Sequence, residues 1–331
     1  SFDADGDGRG DYYIDNVFAP SVQRYTLHTA TTGSGSVTVT PGESTYGSNT
    51  LVTLTAVPAI GWTFTEWTGD FSCTCNPASI TMIKNMSITA TFTQNLLVDP
   101  TFEASVDTAD LLANSTSQDW YESRGSFTGG DATLLTLDTN NISGNTGKKA
   151  GLKSYGSSTT HNAYCTQEFL TPQTGTFTVS FDIYIDRIEN SGTYNRTGQI
   201  FIGDNSVTSN APTGTSPERF VFLAFYDPTP DDTGTDLEIR ARTTTSQDYA
   251  TTSQWLQVAS GLSYDTWMTV KLVVNVPSGT YDVYVDGVLK MADVPKYAGY
   301  TTASVVYMSF DADGDGRGDY YIDNVYSPAI N

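Results

Sequence analysis

Four aspartates near the end of the chain have the type and spacing of a cation-binding loop. In the run DADGDGRGD they occupy the first, third, fifth and ninth positions: Asp311, Asp313, Asp315 and Asp319. Alternate side chains in a tight loop converge on one point, Gly316 permits a sharp turn, and the carbonyl of Arg317 is available at the seventh position. Carboxylate oxygens replace the hydration shell of a hard cation. The spacing is that of an EF-hand-type loop and predicts Ca²⁺ as the cofactor.

The twelfth position of this run departs from the EF-hand pattern. It is Ile322 instead of a bidentate glutamate, so neither flanking helices nor a regulatory opening is expected. Asp323 lies one residue later and completes the ligand shell if the loop bulges. The alternative is a solvated acidic turn without a metal ion. Calcium is the preferred interpretation because closely spaced carboxylates would otherwise repel one another.

The same acidic run occurs a second time, at the start of the sequence. Ser1–Val17 reads SFDADGDGRGDYYIDNV and is identical to Ser309–Val325, at an offset of 308 residues. The likeness continues from FAPSVQ at 18–23 to YSPAIN at 326–331. The equivalent ligands of the first copy are Asp3, Asp5, Asp7 and Asp11. The repeat predicts one period of a tandem array, in which residues 1–23 are the terminal strand and calcium loop of the preceding unit.

The composition limits the partners that the chain can have. Its 331 residues carry a net charge of −21, with only 16 lysines and arginines. Such a chain repels phosphate backbones and anionic membrane faces, so nucleic acid is not expected as a partner. No apolar run approaches the roughly 20 residues of a membrane-spanning helix, and no signal peptide opens the sequence. Membrane insertion is therefore not expected.

Alternating apolar residues predict an all-β protein with two modules. Residues 24–94 contain short alternating segments separated by turns, for instance VTLTA. Residues 95–331 form a larger module, in which five apolar positions alternate with polar ones: Phe177, Val179, Phe181, Ile183 and Ile185. The pair Asp286-Gly287 predicts a type I′ hairpin. Many antiparallel strands of this kind indicate a sandwich.

Three segments of residues 24–94 carry a resemblance to a known family. GSGSVTVTP, VTLTAVPAIGWTFTEWTGD and MSITATF resemble the divergent internalin-type B-repeat of bacterial and archaeal surface proteins. The resemblance implies a small β-grasp-like spacer that is found in tandem on cell surfaces and rarely has chemistry of its own. Three aromatic residues of this module form either an exposed ligand platform or the core: Trp62, Phe64 and Trp67. The core is the preferred interpretation because alternating aromatics in a short module usually pack inside.

The larger module resembles jelly-roll carbohydrate-binding modules and concanavalin-like domains. The resemblance rests on the order of NLLVDPTFEAS, AYCTQEF, TGTFTVSFDIYID, WMTVKLVVNVPSGTYDVYVDG and YYIDNV. It implies an antiparallel jelly-roll β-sandwich that binds glycans, decorates enzymes or serves as a structural bead. In such jelly rolls the aspartate of the closing strand and the glutamate of the opening FE motif surround a structural calcium. The matching residues here are Asp323 and Glu103.

No catalytic site is expected. The two histidines, His28 and His161, stand outside any Ser-His-Asp or metal-binding pattern. Binding of a glycan would use aromatic rings that stack on sugars, and four residues are candidates: Trp120, Tyr121, Trp255 and Trp267. Trp267 begins an apolar strand and is expected to pack inside. Trp255 has polar neighbours and is expected at the surface, so it is the preferred glycan contact.

Two further residue types bear on the compartment. Cys73 and Cys75 either form a small loop disulfide or remain thiols, and Cys165 stands alone. Four Asn-x-Ser/Thr sequons predict N-glycosylation outside the cell: Asn85, Asn114, Asn141 and Asn195. An extracellular or cell-surface location is therefore expected.

The expected function follows from the repeat and the two resemblances. The chain is predicted to be a structural repeat unit of a calcium-stabilised extracellular fibre or giant surface adhesin. Its partners would be copies of itself, either in a continuous head-to-tail array or by strand addition. The alternative is a glycan-binding module of a secreted multidomain protein, with a polysaccharide as partner.

Overall fold

The computed structural model describes residues 15, 21–59, 61–112, 119–123, 134–153, 163–189, 196–204, 218–229, 234–245, 255–312 and 317–329. The chain forms two compact units: a smaller one of Ser1–Val57 with Phe64–Phe92, and a larger one of Pro58–Thr63 with Thr93–Asn331. The described elements are strands apart from one short helix, α1 (Thr108–Leu112), so the predicted all-β class is confirmed. In this part of the chain no helix is long and apolar enough to cross a membrane.

Eight short strands lie between Arg24 and Gln94. They are β1 (Arg24–Tyr25), β2 (Leu27–Thr32), β3 (Gly35–Thr40), β4 (Tyr46–Gly47), β5 (Leu51–Pro58), β6 (Trp62–Gly69), β7 (Ala78–Thr81) and β8 (Met86–Gln94). They form two three-stranded sheets, β2-β8-β6 and β3-β5-β7, and the short pair β1-β4. Alternate side chains of β5 and β8 are buried, as the alternating sequence predicts for strands with one face on a core.

The aromatic residues of the smaller unit meet in its core. Trp67 has no exposed surface, and its ring centroid lies 5.2 Å from that of Phe64. Trp62 and Phe64 are half-buried. The interpretation of these aromatics as core is therefore confirmed for Trp67. Cys73 and Cys75, whose pairing the sequence left open, form a disulfide.

Fourteen further strands form the two seven-stranded sheets of the larger unit. Sheet I has the order β10 (Leu135–Asp138), β11 (Lys149–Lys153), β22 (Arg317–Tyr326), β13 (Thr176–Glu189), β18 (Trp267–Asn275), β19 (Thr280–Val285) and β20 (Val288–Pro295). Sheet II has the order β17 (Leu256–Leu262), β16 (Leu237–Ala241), β15 (Arg219–Tyr226), β14 (Arg196–Gly203), β21 (Val305–Ala312), β12 (Ala163–Gln173) and β9 (Tyr121–Glu122). The described pairings within both sheets are antiparallel.

One continuous core lies between sheets I and II. The five apolar residues predicted for β13 are at most 1% exposed. Phe181 of sheet I meets Phe310 of sheet II edge to face, with ring centroids 5.2 Å apart. Asp286 and Gly287 have positive φ angles of 50° and 75° between the paired residues Val285 and Val288, so the predicted type I′ hairpin is confirmed. The larger unit is the antiparallel sandwich that the sequence predicts.

The repeated segment Ser309–Val325 passes through both sheets. Its first residues lie in β21 of sheet II, and its last nine lie in β22, between β11 and β13 of sheet I. Tyr320, Ile322 and Val325 of β22 have no exposed surface. The segment is therefore a central part of the sandwich and not a terminal appendage.

Candidate functional site

The predicted calcium run is bounded by strands of different sheets. Asp311 lies in β21 and is 1% exposed, whereas Asp319 lies in β22. The Asp319 carboxylate has a guanidinium nitrogen of Arg187 at 3.4 Å. Outside the described residues lie Asp313, Asp315, the side chain of Arg317 and the first-copy aspartates Asp3, Asp5, Asp7 and Asp11. The two end residues thus belong to strands instead of one continuous loop, and calcium at the run stays a prediction.

The other two predicted calcium ligands, Glu103 and Asp323, contact one short segment of the larger unit. The backbone N–H of Lys148 donates to Glu103 Oε1 at 2.9 Å. The side-chain amide of Asn145 donates to Asp323 Oδ2 at 2.7 Å. The structure therefore brings Glu103 and Asp323 to the same segment, 145–148, and a calcium shared by these two residues stays a prediction.

A buried lysine lies at this place. Lys149 has no exposed surface, and its Nζ donates to the carbonyl oxygens of Asn140 at 2.8 Å and Gly147 at 2.6 Å. Carbonyl oxygens at such distances form charge-assisted hydrogen bonds with an ammonium group. Sequence reasoning missed Lys149 because a lysine in a polar KKAGLK segment gives no signal of burial.

The charge of Lys149 interacts with the carboxylates of this cluster. Burial lowers the pKa of Lys149, while the carboxylates of Asp138, Asp323 and Glu103 raise it. Burial likewise raises the pKa of Asp323, an effect that Lys149 opposes. The oxygen ligands around Lys149 are of the kinds that calcium prefers, but the chain itself supplies the positive charge. Among the described residues no group of three His, Cys, Asp or Glu side chains could hold a metal ion.

Sheet II carries a second cluster on the face that points away from the main core. Ile200 and Ile202 of β14 belong to the core, so Phe201 between them points to the opposite side. This outer-face cluster consists of Tyr164, Phe201, Phe222, Ala224, Trp255 and Tyr307. None of its members is more than 4% exposed.

Two arginines extend the outer-face cluster. The guanidinium carbon of Arg219 lies 3.7 Å from the ring centroid of Phe201 and 4.6 Å from that of Phe222. Arg242 lies 5.7 Å from the Phe222 centroid. Arg219 is 2% exposed, and its Nε has no hydrogen-bond partner in the described part of the chain. The guanidinium of Arg219 therefore makes cation–π contacts with both rings.

Polar groups continue the same face toward β12. The hydroxyl of Thr166 hydrogen-bonds to those of Ser123 at 3.0 Å and Ser309 at 2.8 Å. The hydroxyl of Tyr121 donates to a carboxylate oxygen of Glu168, whose pKa is raised by burial. Aromatic rings, guanidinium groups, hydroxyls and carboxylates are the residue types with which proteins orient sugars.

The expected positions of two tryptophans are wrong. Trp255, expected at the surface, is 4% exposed and packs edge to face on Phe222 at 5.1 Å between ring centroids. Trp267, expected inside, is half-buried on the outer face of sheet I. Its indole N–H donates to the carbonyl of Ile142 at 2.8 Å, and its ring lies 5.6 Å from that of Tyr184. Polar sequence neighbours therefore did not indicate exposure.

The remaining candidates differ in their burial. Trp120 and Tyr121 are buried. Asn85 and Asn141 are exposed, as glycosylation requires, although the side-chain oxygen of each already accepts a backbone N–H. Asn114 and Asn195 lie outside the described residues. N-glycosylation stays a prediction.

A family model and several solved structures match parts of this chain. No curated protein matches the chain. A sialidase structure matches with a TM-score of 0.44 and 14% identity over 86% of this chain, which spans only 21% of the sialidase. The alginate lyase Aly36B matches with a TM-score of 0.45 and 9% identity, over 70% of this chain and 96% of that chain. The marine PL7 alginate lyase AlyA1 from Zobellia galactanivorans matches with a TM-score of 0.40 and 14% identity, over 67% of this chain and 99% of that chain. Residues 25–96 match the family model described as the divergent InlB B-repeat domain, which confirms the resemblance predicted for the smaller unit.

Proposed function

We propose that the chain is one period of a tandem-repeat protein outside the cell or at its surface, where successive periods of one continuous chain build a fibre or giant adhesin. The observation that carries the proposal is the position of the repeated segment. Its second copy fills a central position of sheet I, as β22 between β11 and β13. That position exists once in each larger unit.

The first copy therefore needs a second sandwich. Ser1–Val17 has the sequence of Ser309–Val325, so Tyr12, Ile14 and Val17 correspond to the fully buried Tyr320, Ile322 and Val325. A single strand with three such residues is not stable alone. Since the chain's own β22 occupies the position in its own sandwich, the first copy fits the equivalent position of a preceding sandwich. The B-repeat match at residues 25–96 supports a modular repeat protein.

Deletion of residues 1–17 tests whether the two copies compete. If the array is continuous, the deletion leaves the melting temperature of the larger unit unchanged. The chain is then monomeric whether residues 1–17 are present or deleted. Strand donation between chains would instead make the intact chain self-associate and the deleted chain monomeric. Sedimentation velocity over a range of protein concentrations distinguishes the two outcomes, and concentration-dependent association would contradict the continuous array.

Calcium bound at the acidic run is part of this proposal. Its support is the spacing of the four aspartates and the net charge of −21. The second predicted site, at Glu103 and Asp323, fits a metal ion less well because Lys149 already supplies a cation there. Calorimetric titration with Ca²⁺ tests the run, with Asp313→Asn/Asp315→Asn as the matched variant that should lose the binding.

Glycan binding is a second candidate function, and the outer-face cluster favours it. Arg219 lies against the rings of Phe201 and Phe222 but is only 2% exposed, so a sugar would reach its guanidinium only if the residues that cover the cluster moved aside. The guanidinium and the neighbouring hydroxyls would then supply charge-assisted and neutral hydrogen bonds to the sugar. A panel of neutral and anionic polysaccharides tests the candidate by affinity electrophoresis. Arg219→Lys keeps the charge but loses the planar stack, so it should weaken binding, whereas Arg24→Lys in the smaller unit should not. The absence of binding across the panel would eliminate this function.

A further inference from the structure

The first and last long strands of the smaller unit are parallel neighbours. Six residue pairs join β2 to β8, from Leu27 opposite Met86 to Thr32 opposite Thr91. At the start of the pair, Met86 N–H donates to the Thr26 carbonyl at 3.0 Å, and Thr26 N–H donates to the side-chain oxygen of Asn85 at 2.9 Å. Because the two strands run in the same direction, the chain arrives at one end of the pair and departs from the other.

Tension along the chain would therefore load this pair in shear. The start of β2 is pulled one way and the end of β8 the other, along the strand axes. All six pairs then carry the load together, and none can open before the others move. Ile88, Ala90 and Phe92 of β8 are at most 2% exposed, so sliding would also pull these side chains out of the core.

The larger unit has the opposite arrangement at its two chain ends. Ala329 N–H donates to the Gln94 carbonyl at 2.7 Å, and Leu96 N–H donates to the Ser327 carbonyl at 2.6 Å. Asn95 and Pro328 form an antiparallel bridge between these bonds. The two ends therefore leave the unit side by side. Tension pulls them directly apart and breaks their bonds one after another, beginning with Gln94 and Ala329.

We infer that the smaller unit is a force-bearing clamp and that the larger unit is the element that yields first under tension. The inference rests on the proposed function only in supposing that tension reaches the chain in the organism. The mechanical property itself depends on strand direction within each unit. An array with both elements would lengthen at the sandwiches while each B-repeat unit stays folded.

Single-molecule pulling on the 331-residue chain, held at its two ends, tests the order of unfolding. Unfolding from Asn95 to Pro328 releases roughly 800 Å of chain, and unfolding from Leu27 to Gln94 releases roughly 240 Å. The longer release should come first and at the lower force. A shorter release at equal or lower force would overturn the inference.

A change of pulling direction supplies the matched control without altering the paired residues 27–32 and 86–91. One handle is placed at Arg24, and the other either at Gln94 or at the 62% exposed Ile83, as an azide-bearing residue. Ile83 lies just before Asn85, at the same end of the strand pair as Arg24, so this geometry peels the pair open. The unfolding force should fall several-fold relative to the Arg24–Gln94 geometry. Equal forces in the two geometries would overturn the clamp and leave the tandem-repeat proposal untouched.

Discussion

Replacing Lys149 by methionine is the sharpest perturbation of the larger unit. Methionine keeps most of the side-chain length but removes the ammonium that donates to the carbonyls of Asn140 and Gly147. The carboxylates of Asp138, Asp323 and Glu103 would then lose a positive charge that interacts with each of them. A hydrogen bond to a charged group is worth about 1.5–3 kcal/mol, and Lys149 makes two of them. The lower end of this range, about 3 kcal/mol for the two bonds together, is the expected loss.

The expected loss is measurable by calorimetry. A loss of about 3 kcal/mol lowers the melting temperature of a unit of this size by about 6–12 °C. Lys290→Met is the control, since Lys290 is exposed on β20, and it should leave the transition unchanged. Added Ca²⁺ should restore part of the stability of Lys149→Met, because calcium can take the place of the lost ammonium among the oxygens. A loss below about 1 kcal/mol would refute the reasoning that this buried charge holds the cluster together.

Three further predictions concern metal, pH and catalysis. Chelation should lower the melting temperature of the larger unit if calcium occupies the acidic run beside β22, and an unchanged melting curve would show that the run is not a structural calcium site. Burial raises the pKa of Asp323, so its protonation favours the folded state. As the pH falls from neutral through this raised pKa to below 3.8, the unfolding free energy of the wild type should rise relative to that of Asp323→Asn. Urea titrations that show no such rise would contradict the raised pKa of Asp323. We expect no hydrolase or lyase activity, and polysaccharide turnover that a single Asp or Glu substitution abolishes would contradict this.

Periodicity made the sheets of the larger unit predictable. Strict alternation in FTVSFDIYI identified the core face of β13, and Asp286-Gly287 identified the hairpin between β19 and β20, because both signals are local. The sequence repeat likewise marked Ser309–Val325 as a structural segment. Its central position in sheet I, however, depends on pairing with β11 and β13, which lie far away in sequence.

The outer-face cluster and the lysine cluster could not be predicted. All eight residues of β15, RFVFLAFY, are buried or half-buried, so no alternation distinguishes the core face from the outer face. Trp255 was therefore assigned to the surface from its polar neighbours, although it packs on Phe222. The cluster around Lys149 joins residues that are up to 220 positions apart, Glu103 and Asp323 among them, and only the folded chain brings them together.

Hydrogen exchange on an extended chain tests the tandem array most directly. In this chain residues 95–308 precede Ser1, so a second sandwich is present whose only available β22 is the first copy, Ser1–Val17. Peptides from the two copies are distinguished by their neighbours, FAPSVQ and YSPAIN. We predict that Ser1–Val17 exchanges fast in the 331-residue chain and as slowly as Ser309–Val325 in the extended chain. Fast exchange of Ser1–Val17 in both chains would contradict the account.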